Sequence, residues 1–130
     1  MKILQPANWK RPKGYSNGVA AKGTTIFVSG MIGWNAQEEL VATDFVGQTR
    51  QALRNIVDVL AEASAQPSDI VRMTWYVVDK KEYVSAASEI GAIYREIIGR
   101  HYPAMTVVQV AGLLEDKARF EIEVTAIVPD

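Results

Sequence analysis

The sequence predicts a single α/β sandwich, in which a mixed β-sheet is covered on one face by two helices in the order β-β-α-β-α-β-β. Three observations support this. Two stretches carry apolar residues at helical spacing, and several shorter stretches are rich in β-branched and aromatic residues. The chain has 130 residues, 48% of them hydrophobic, which is enough for one core but not for two. Residues 1–130 are therefore expected to form one domain.

The first strand candidates lie between Gly18 and Gly30, in the sequence GVAAKGTTIFVSG. Two extended segments are interrupted around Lys22-Gly23, and the second is rich in β-branched and aromatic residues. This pattern favours a hairpin. A short additional strand is expected at Lys2 to Gln5.

The first helix is expected from about Asp44 to Ser64, with Thr43 or Asp44 as its N-cap. Its apolar residues recur at helical spacing: Val46, Leu53, Ile56, Val57 and Leu60. Pro67 and Asp69 close the following loop. The segment IVRMTWYVVD, from Ile70 to Asp79, then has the composition of a strand.

The second helix precedes Gly99, a residue typical of helix ends. One stripe of its surface carries Tyr83, Ala87, Ile90, Tyr94 and Ile97. Two further strand candidates begin at Met105 (MTVVQVAGLL) and Ala118 (ARFEIEVTAIV). The polar turn Glu115-Asp116-Lys117 separates them, so we expect an antiparallel hairpin.

The apolar residues of the third strand predict that both faces of the sheet are buried. Alternation places Val71, Met73, Trp75 and Val77 on one face, and Ile70, Tyr76 and Val78 on the other. Two helices cover only one face, so the other is expected to meet another subunit. The sequence thus predicts an obligate homo-oligomer, and the alternative is that loops cover the second face.

Composition excludes several classes of function. The chain has no cysteine, which rules out disulfides, thiolate nucleophiles and the usual structural zinc sites. Its 14 basic and 15 acidic residues give a net charge of -1, without the positive field that nucleic-acid binding requires. No apolar run approaches the roughly 20 residues that span a bilayer. The amino terminus lacks the pattern of a secretory signal, so we expect a cytoplasmic protein. From the charge and the absence of a long apolar run, we expect no nucleic-acid partner and no membrane partner.

Few of the common catalytic motifs are present. There is no Walker A sequence, GxGxxG, HExxH or EF-hand loop, and His101 is the only imidazole, so we expect neither a metal nor an organic cofactor. We expect His101 to cap the second helix or to pack at the start of the next strand. Polar residues at strand ends and on apolar strands remain as candidates: Tyr15, Ser29, Gly30, Arg72, Thr106, Gln109, Glu121 and Glu123. Burying a carboxylate on a strand that packs against another subunit costs free energy unless the group is hydrogen-bonded or functional, which makes Glu121 and Glu123 candidates. The alternative is that both glutamates lie on a solvent-exposed edge of the sheet.

Four segments, in this order, resemble the RidA/YjgF family of reactive-intermediate (imine/enamine) deaminases, also known as L-PSP endoribonuclease-like proteins. They are GYSNGV from Gly14, IFVSGMIGWN from Ile26, the QTRQALRNIVDVLAEA helix with the DIVRMTWYVVD strand, and HYPAMTVVQVAGL with FEIEVTAIV. The resemblance spans nearly the whole chain. It implies a chorismate-mutase-like subunit and a homotrimer with a small-molecule ligand in each of three clefts between subunits.

The chain departs from the family pattern at the position that matters most for substrate choice. Typical family deaminases have an arginine directly after the Pro-Ala of the fifth strand, where it binds the carboxylate of a 2-imino acid; here that residue is Met105. A thioether cannot make the paired charge-assisted hydrogen bonds of a guanidinium. The family's cysteine is replaced by Val107, and the asparagine of its second helix corresponds to about Gly91.

Other residues match the family pattern. The resemblance implies that Tyr15 closes the cleft, that Ser29 and Gly30 form its wall, and that Glu121 is the catalytic residue that positions the hydrolytic water. Trp34 is a further candidate for the cleft wall, whereas Trp75 is expected in the core. Together with Met105 and Thr106, these residues form the predicted substrate-binding set.

Three functions follow from this pattern. The first is a divergent imine or enamine deaminase that releases ammonia and a carbonyl compound from a small C=N metabolite. The second is a non-catalytic trimer that binds a small metabolite, which Met105 favours. A ribonuclease or translation inhibitor ranks last, because the chain is acidic and has no histidine pair or basic groove.

Overall fold

The strands of the protein, in a computed structural model that describes residues 1–130, are β1 (Lys2–Leu4), β2 (Gly18–Ala20), β3 (Thr24–Met31), β4 (Ile70–Val77), β5 (Ala104–Gln109) and β6 (Phe120–Val128). The helices are α1 (Phe45–Ala61), α2 (Lys80–Ser85) and α3 (Ala87–Ile97), with one 3₁₀ turn at Pro67–Asp69. The helices pack on one face of a four-stranded sheet, which confirms the predicted architecture.

The sheet has the strand order β3-β6-β4-β5. β6 pairs antiparallel with both β3 and β4, whereas β5 is parallel to β4. The predicted hairpin of the last two strands is therefore wrong. After β4 the chain crosses the helical face through α2 and α3, and such a crossover returns the next strand parallel to β4. β6 then occupies the opposite edge of β4, where its own alternating residues complete the core.

The predicted hairpin between Gly18 and Gly30 is also wrong in its pairing. Both extended segments exist, but β2 pairs antiparallel with β1 in a separate two-stranded sheet. The turn between β2 and β3 contains Gly23 at φ +144, and a Cβ there would lie 2.0 Å from the carbonyl oxygen of Val128. The close approach of this turn to the end of β6 requires glycine. The short strand expected at Lys2 to Gln5 is confirmed as β1.

Helix α1 begins and ends close to the predicted limits. Asp44 is the N-cap, because its carboxylate accepts a hydrogen bond of 3.1 Å from the backbone N–H of Gly47. The helix ends at Ala61, three residues before the expected Ser64. Ser64 has a φ of 56, in the left-handed region, so it cannot continue the helix.

The predicted second helix is divided into α2 and α3. Ala86, with φ -95 and ψ 6, interrupts the helix between Ser85 and Ala87. Past the end of α3, the N–H of Gly99 bonds to the carbonyl of Tyr94, and its φ of +95 confirms the expected helix end. None of the helices has the length and apolarity needed to cross a bilayer.

The core lies between the helices and one face of the sheet. Strand β6 alternates strictly, with Phe120, Ile122, Val124 and Ala126 buried. Trp75 of β4 lies at the centre, and its ring meets that of Phe120 edge-on at 5.1 Å. Ile70, predicted on the opposite face, is instead fully buried in the core, because a register shift follows it in β4.

The opposite face of the sheet, termed the open face, is not covered by any element of the same chain. Its side chains come from alternate positions of the strands: Phe27, Ser29, Arg72, Thr74, Tyr76, Thr106, Glu121, Glu123 and Thr125. Phe27 is 80% exposed, while most of its neighbours are polar. The open face is therefore more polar than the alternation of β4 alone predicts.

Candidate functional site

The predicted site residues lie on both faces of the sheet. Met105 pairs with Met73 across the parallel ladder, and its side chain packs against the core on the helical side. Thr106, the next residue, pairs with Thr74 and is exposed on the open face. Glu121 also lies on the open face, since it alternates with the buried Phe120 and Ile122. One subunit therefore keeps Met105 apart from Glu121.

On the helical side, Met105 borders a cavity of about 440 Å³ that opens to solvent beside α3, here called the α3 cavity. Its wall is largely apolar and aromatic: Trp75, Tyr83, Ile90, Tyr94, Tyr102 and Met105. Two cationic residues, Lys13 and Arg95, also border it, and no acidic residue does. Gly91, which occupies about the position of the family's asparagine, completes one side. A pocket of this kind suits a small amphipathic ligand.

The aromatic wall of the α3 cavity contains a stacked pair of rings and is uncharged. Tyr94 and Tyr102 are stacked, with ring centroids 5.5 Å apart and an interplanar angle of 12°. The hydroxyl of Tyr94 donates a hydrogen bond of 2.5 Å to the carbonyl of His101. Burial raises the pKa of both Tyr94 and Tyr83, so these phenols stay protonated in the physiological pH range.

Trp75 confirms its predicted place in the core, since it is 2% exposed, and it also borders the α3 cavity. Its indole Nε1–H is buried and has no hydrogen-bond acceptor. A buried donor without a partner is uncommon and costs free energy. Trp75 is therefore a core residue that also borders the cavity, and its buried indole N–H is left without a partner.

On the open face, Glu121 lies against Gly30. A Cβ at position 30 would lie 2.7 Å from Oε2 of Glu121, so the carboxylate occupies the space that glycine leaves free. Burial raises the pKa of Glu121, and the negative charge of Glu123 raises it further. Glu123 itself accepts a hydrogen bond of 2.6 Å from the Tyr76 hydroxyl. Glu121 is thus a half-buried carboxylate whose proton affinity is increased.

The other predicted binding residues are distributed around these two regions. Ser29 is exposed on the open face, where it borders a shallow depression with Arg72 and Thr74. Tyr15 borders a different depression with Trp9 and lies beside Gly14, which reaches both that depression and the α3 cavity.

The segment that carries Tyr15 is attached to the start of β5. Ser16 N–H bonds to the carbonyl of Pro103 at 3.0 Å, and Ser16 forms a parallel bridge with Ala104. This attachment holds Lys13 and Gly14 at the mouth of the α3 cavity. Trp34 lies elsewhere, in the loop between β3 and α1, where its carbonyl accepts a hydrogen bond of 2.9 Å from Asn55.

The cations of the chain differ in their availability for a ligand. Arg119 is engaged by Glu82 at 2.8 Å, and Arg72 lies on the open face. Arg95 forms no ion pair and borders the α3 cavity, a placement that our sequence reasoning missed. The signal available in the sequence was its position four residues after Gly91, which places both residues on one helix face.

Neither region resembles a metal centre. No three histidine, aspartate or glutamate side chains lie together as potential ligands. The single imidazole, His101, packs before β5 as predicted, with its Nε2 2.6 Å from the carbonyl oxygen of Ile70. The chemistry open to these residues is therefore proton transfer by Glu121 and ligand binding in the α3 cavity.

Comparisons with known proteins identify the family of the chain. The family model described as Endoribonuclease L-PSP matches residues 8–128. The 2-iminobutanoate/2-iminopropanoate deaminase of Salmonella typhimurium is 31% identical over 108 residues, which cover 81% of this chain and 80% of that protein.

Solved structures extend the comparison to the fold. The Rid-family protein YyfB from Yersinia pestis superimposes with a TM-score of 0.84 at 33% identity, covering 98% of both chains. Escherichia coli TdcF with bound serine gives a TM-score of 0.69 at 30% identity, covering 98% of this chain and 99% of the other. By its sequence and its fold, the chain belongs to the RidA/YjgF family of L-PSP endoribonuclease-like proteins.

Proposed function

We propose that the protein hydrolyses small imines or enamines to carbonyl compounds and ammonia, at sites between the subunits of a homotrimer. The observation that carries this proposal is the Glu121 carboxylate, which lies against Gly30 on the open face with a raised pKa. A carboxylate whose pKa is moved towards neutrality is suited to general base and acid catalysis. The names of two relatives support the same class of reaction: the 2-iminobutanoate/2-iminopropanoate deaminase of Salmonella typhimurium and the reactive intermediate deaminase TdcF of Escherichia coli.

The reaction requires one proton acceptor that later acts as a donor. Glu121 takes a proton from water as the water oxygen bonds to the C=N carbon and the electron pair of the double bond moves to nitrogen. Glu121 gives this proton to the nitrogen, which yields a neutral carbinolamine. Glu121 then takes the hydroxyl proton as the carbonyl forms and passes it to the amino nitrogen, so that the C–N bond breaks and ammonia leaves. The sum is imine plus water giving carbonyl compound plus ammonia, without redox change.

The proposed site lies between two copies of the chain, because within one subunit the sheet separates the α3 cavity from Glu121. Met105 and the α3 cavity lie on the helical side of the sheet, while Glu121 lies on the open face. If the open face of one copy packs beside the α3 cavity of another, both regions border the same cleft. Cyclic symmetry then repeats the cleft three times in a trimer. The exposed Phe27 on the open face is consistent with contact by another copy.

The test generates imines in the assay from several amino acids with an amino-acid oxidase, and follows ammonia release with and without the protein. We expect acceleration over buffer, and a loss of at least about a hundredfold in the Glu121→Gln variant. The matched control is Glu115→Gln, an exposed glutamate in the loop before β6. Equal rates for the native protein and buffer across the imine panel would refute the proposal.

A second candidate function is binding of a metabolite without turnover. The observation that favours it is Met105, a thioether where the family deaminases have an arginine. Thermal denaturation in the presence of organic acids and amines separates the two functions. A pure binding protein shows a raised melting temperature with a ligand that it leaves chemically unchanged.

A further inference from the structure

The α3 cavity combines an aromatic wall with cations and without a carboxylate. We propose that it binds the carboxylate of an organic acid with an aromatic or alkyl body, and that Arg95 of α3 is the residue that binds this carboxylate. The inference deepens the proposed function, on which it rests for identifying the physiological ligand as an imino acid. The charge and shape of the cavity carry the binding claim itself.

The position of Arg95 depends on Gly91. The two residues are four apart on α3, so their side chains lie on one face of the helix, and the side chain of the later residue leans back towards the earlier one. A Cβ at position 91 would lie 3.3 Å from Nη1 of Arg95. The guanidinium therefore lies close beside Gly91, at the edge of the cavity.

The charge of Arg95 is also free to pair with a ligand, because no acidic residue of the chain forms an ion pair with it. The ion pairs of the chain are Arg50 with Glu96 and Arg119 with Glu82, and Arg95 takes part in neither. The arginine side chains that hydrogen-bond within the chain are those of Arg50 and Arg119, so the exposed guanidinium of Arg95 keeps its paired N–H donors free. Such a fork matches the two oxygens of a carboxylate. Lys13, held at the mouth of the cavity by the segment attached to β5, adds a second positive charge.

The remaining walls define the body of the ligand. Trp75, Tyr102 and Met105 present two aromatic rings and a thioether, which favour contact with an aryl or alkyl group. A cationic ligand is disfavoured, because Arg95 and Lys13 would repel it and no acidic residue borders the cavity to pair with it.

This arrangement moves the carboxylate-binding residue from a strand to a helix. The resemblance predicts an arginine at the position of Met105 in β5, and the present chain has its free guanidinium on α3 instead. Met105 is then part of the apolar wall of the α3 cavity. Because Gly91 has no side chain, the guanidinium of Arg95 can lie beside it at the cavity edge. The predicted result is a cleft that still takes an organic acid, but one with a larger apolar body.

The experiment compares two probes of equal shape, 3-phenylpropanoate and 3-phenylpropanamide, by isothermal titration calorimetry. We expect the carboxylate to bind at least about tenfold more tightly than the amide. The Arg95→Gln variant should lose that preference, and Arg95→Lys should retain part of it, because a lysine keeps the charge without the fork. Equal affinity for both probes, or binding of neither, would overturn the inference.

Two further variants separate a specific role of Arg95 from a general change in charge. Arg54→Gln removes an exposed arginine of α1 away from the cavity, and should leave the affinity for 3-phenylpropanoate unchanged. Gly91→Ala should leave the affinity nearly unchanged, since the flexible end of Arg95 can move by the few tenths of an ångström that the added Cβ requires, and a helical alanine should not destabilise α3. A loss as large in Arg54→Gln as in Arg95→Gln would also overturn the inference.

The imine assay distinguishes failure of this inference from failure of the proposed function. Hydrolysis that depends on Glu121 but is identical in the native protein and Arg95→Gln, for both alkyl and aryl imino acids, refutes the role of Arg95 and leaves the deaminase intact. Absence of any hydrolysis, with binding of 3-phenylpropanoate that depends on Arg95, refutes the deaminase and leaves the carboxylate site intact.

Discussion

Gly30 and Glu121 fit against each other so closely that a Cβ on residue 30 would lie 2.7 Å from the carboxylate oxygen Oε2. The glycine comes from β3 and the glutamate from β6, the antiparallel partner of β3. This contact holds the carboxylate in a half-buried position, where burial raises its pKa. The backbone of one strand thus determines where the proposed catalytic group lies.

The first prediction concerns Gly30→Ala. The added methyl group should displace the flexible end of Glu121 and lower imine turnover about tenfold or more, because the base is moved from its position. The free energy of unfolding should change by less than about 1 kcal/mol, since a side-chain end can move aside. Gly112→Ala, where a Cβ has no neighbour within 4 Å, is the control for both assays. Turnover equal to that of the control would contradict the contact.

The pH dependence follows from the raised pKa of Glu121. Burial and then the charge of Glu123 favour the protonated acid, so activity should fall as the pH drops through the raised pKa and the base is lost. Glu123→Gln removes one of the two causes, and should move the acidic limb of the rate profile to lower pH. A limb that stays in place, or moves upward, would contradict this assignment.

The same shift has a consequence for stability with a defined sign. The folded pKa of Glu121 lies above its unfolded value, so between the two values the folded state binds more protons. The contribution of this group to the free energy of unfolding therefore decreases as the pH rises through that window. Denaturation of the native protein and of Glu121→Gln across this range measures the difference. A contribution that increases with pH would contradict the direction.

A stability prediction concerns Gln48, a fully buried polar residue of α1. Its Nε2 donates to the carbonyls of Ala42 and Lys117 at 3.1 and 3.0 Å, and its Oε1 accepts from the N–H of Arg119 at 2.7 Å. Gln48→Leu should lower the free energy of unfolding by about 3 kcal/mol, because these backbone groups lose their partner. Urea denaturation measures this, with the exposed Gln37→Leu as control. A loss no greater than in the control would be inconsistent with the bonding.

The open face provides a prediction about assembly. Phe27→Glu places a charge on a residue that is 80% exposed in the single subunit, so folding should be retained. The proposed trimer should dissociate, since a charge without a partner is disfavoured in an interface core. Sedimentation velocity measures the shift to a monomer, and Val84→Glu, at a residue of α2 that is 68% exposed, is the matched control. Dissociation of the control alone would indicate a different interface.

The sequence predicts the local elements well because their signals are local. The Asp44 cap, the apolar stripe of α1 and the alternation of β6 each lie within one segment. The strand pairing was predicted less well, because β5 and β6 are neighbours in the chain but lie on opposite edges of β4. The crossover through α2 and α3 decides that order, and no turn motif reports it.

The candidate site shows the same difference. Gly30 and Glu121 could be predicted from the family pattern, and the structure brings them into contact. Arg95 was missed because its role depends on a space left by Gly91 and on the cavity around Met105, and these are features of packing. The separation of Met105 from Glu121 by the sheet likewise requires the three-dimensional arrangement.

The most direct measurement of the central claim is complementation between two inactive variants. Glu121→Gln lacks the base, and Gly91→Phe fills the α3 cavity. Both are coexpressed with different affinity tags, and trimers that contain both are purified. If each site combines Glu121 of one copy with the cavity of the next, every mixed trimer has one intact site and should show about one third of the native rate. Mixed trimers as inactive as their parents would contradict a site shared between subunits.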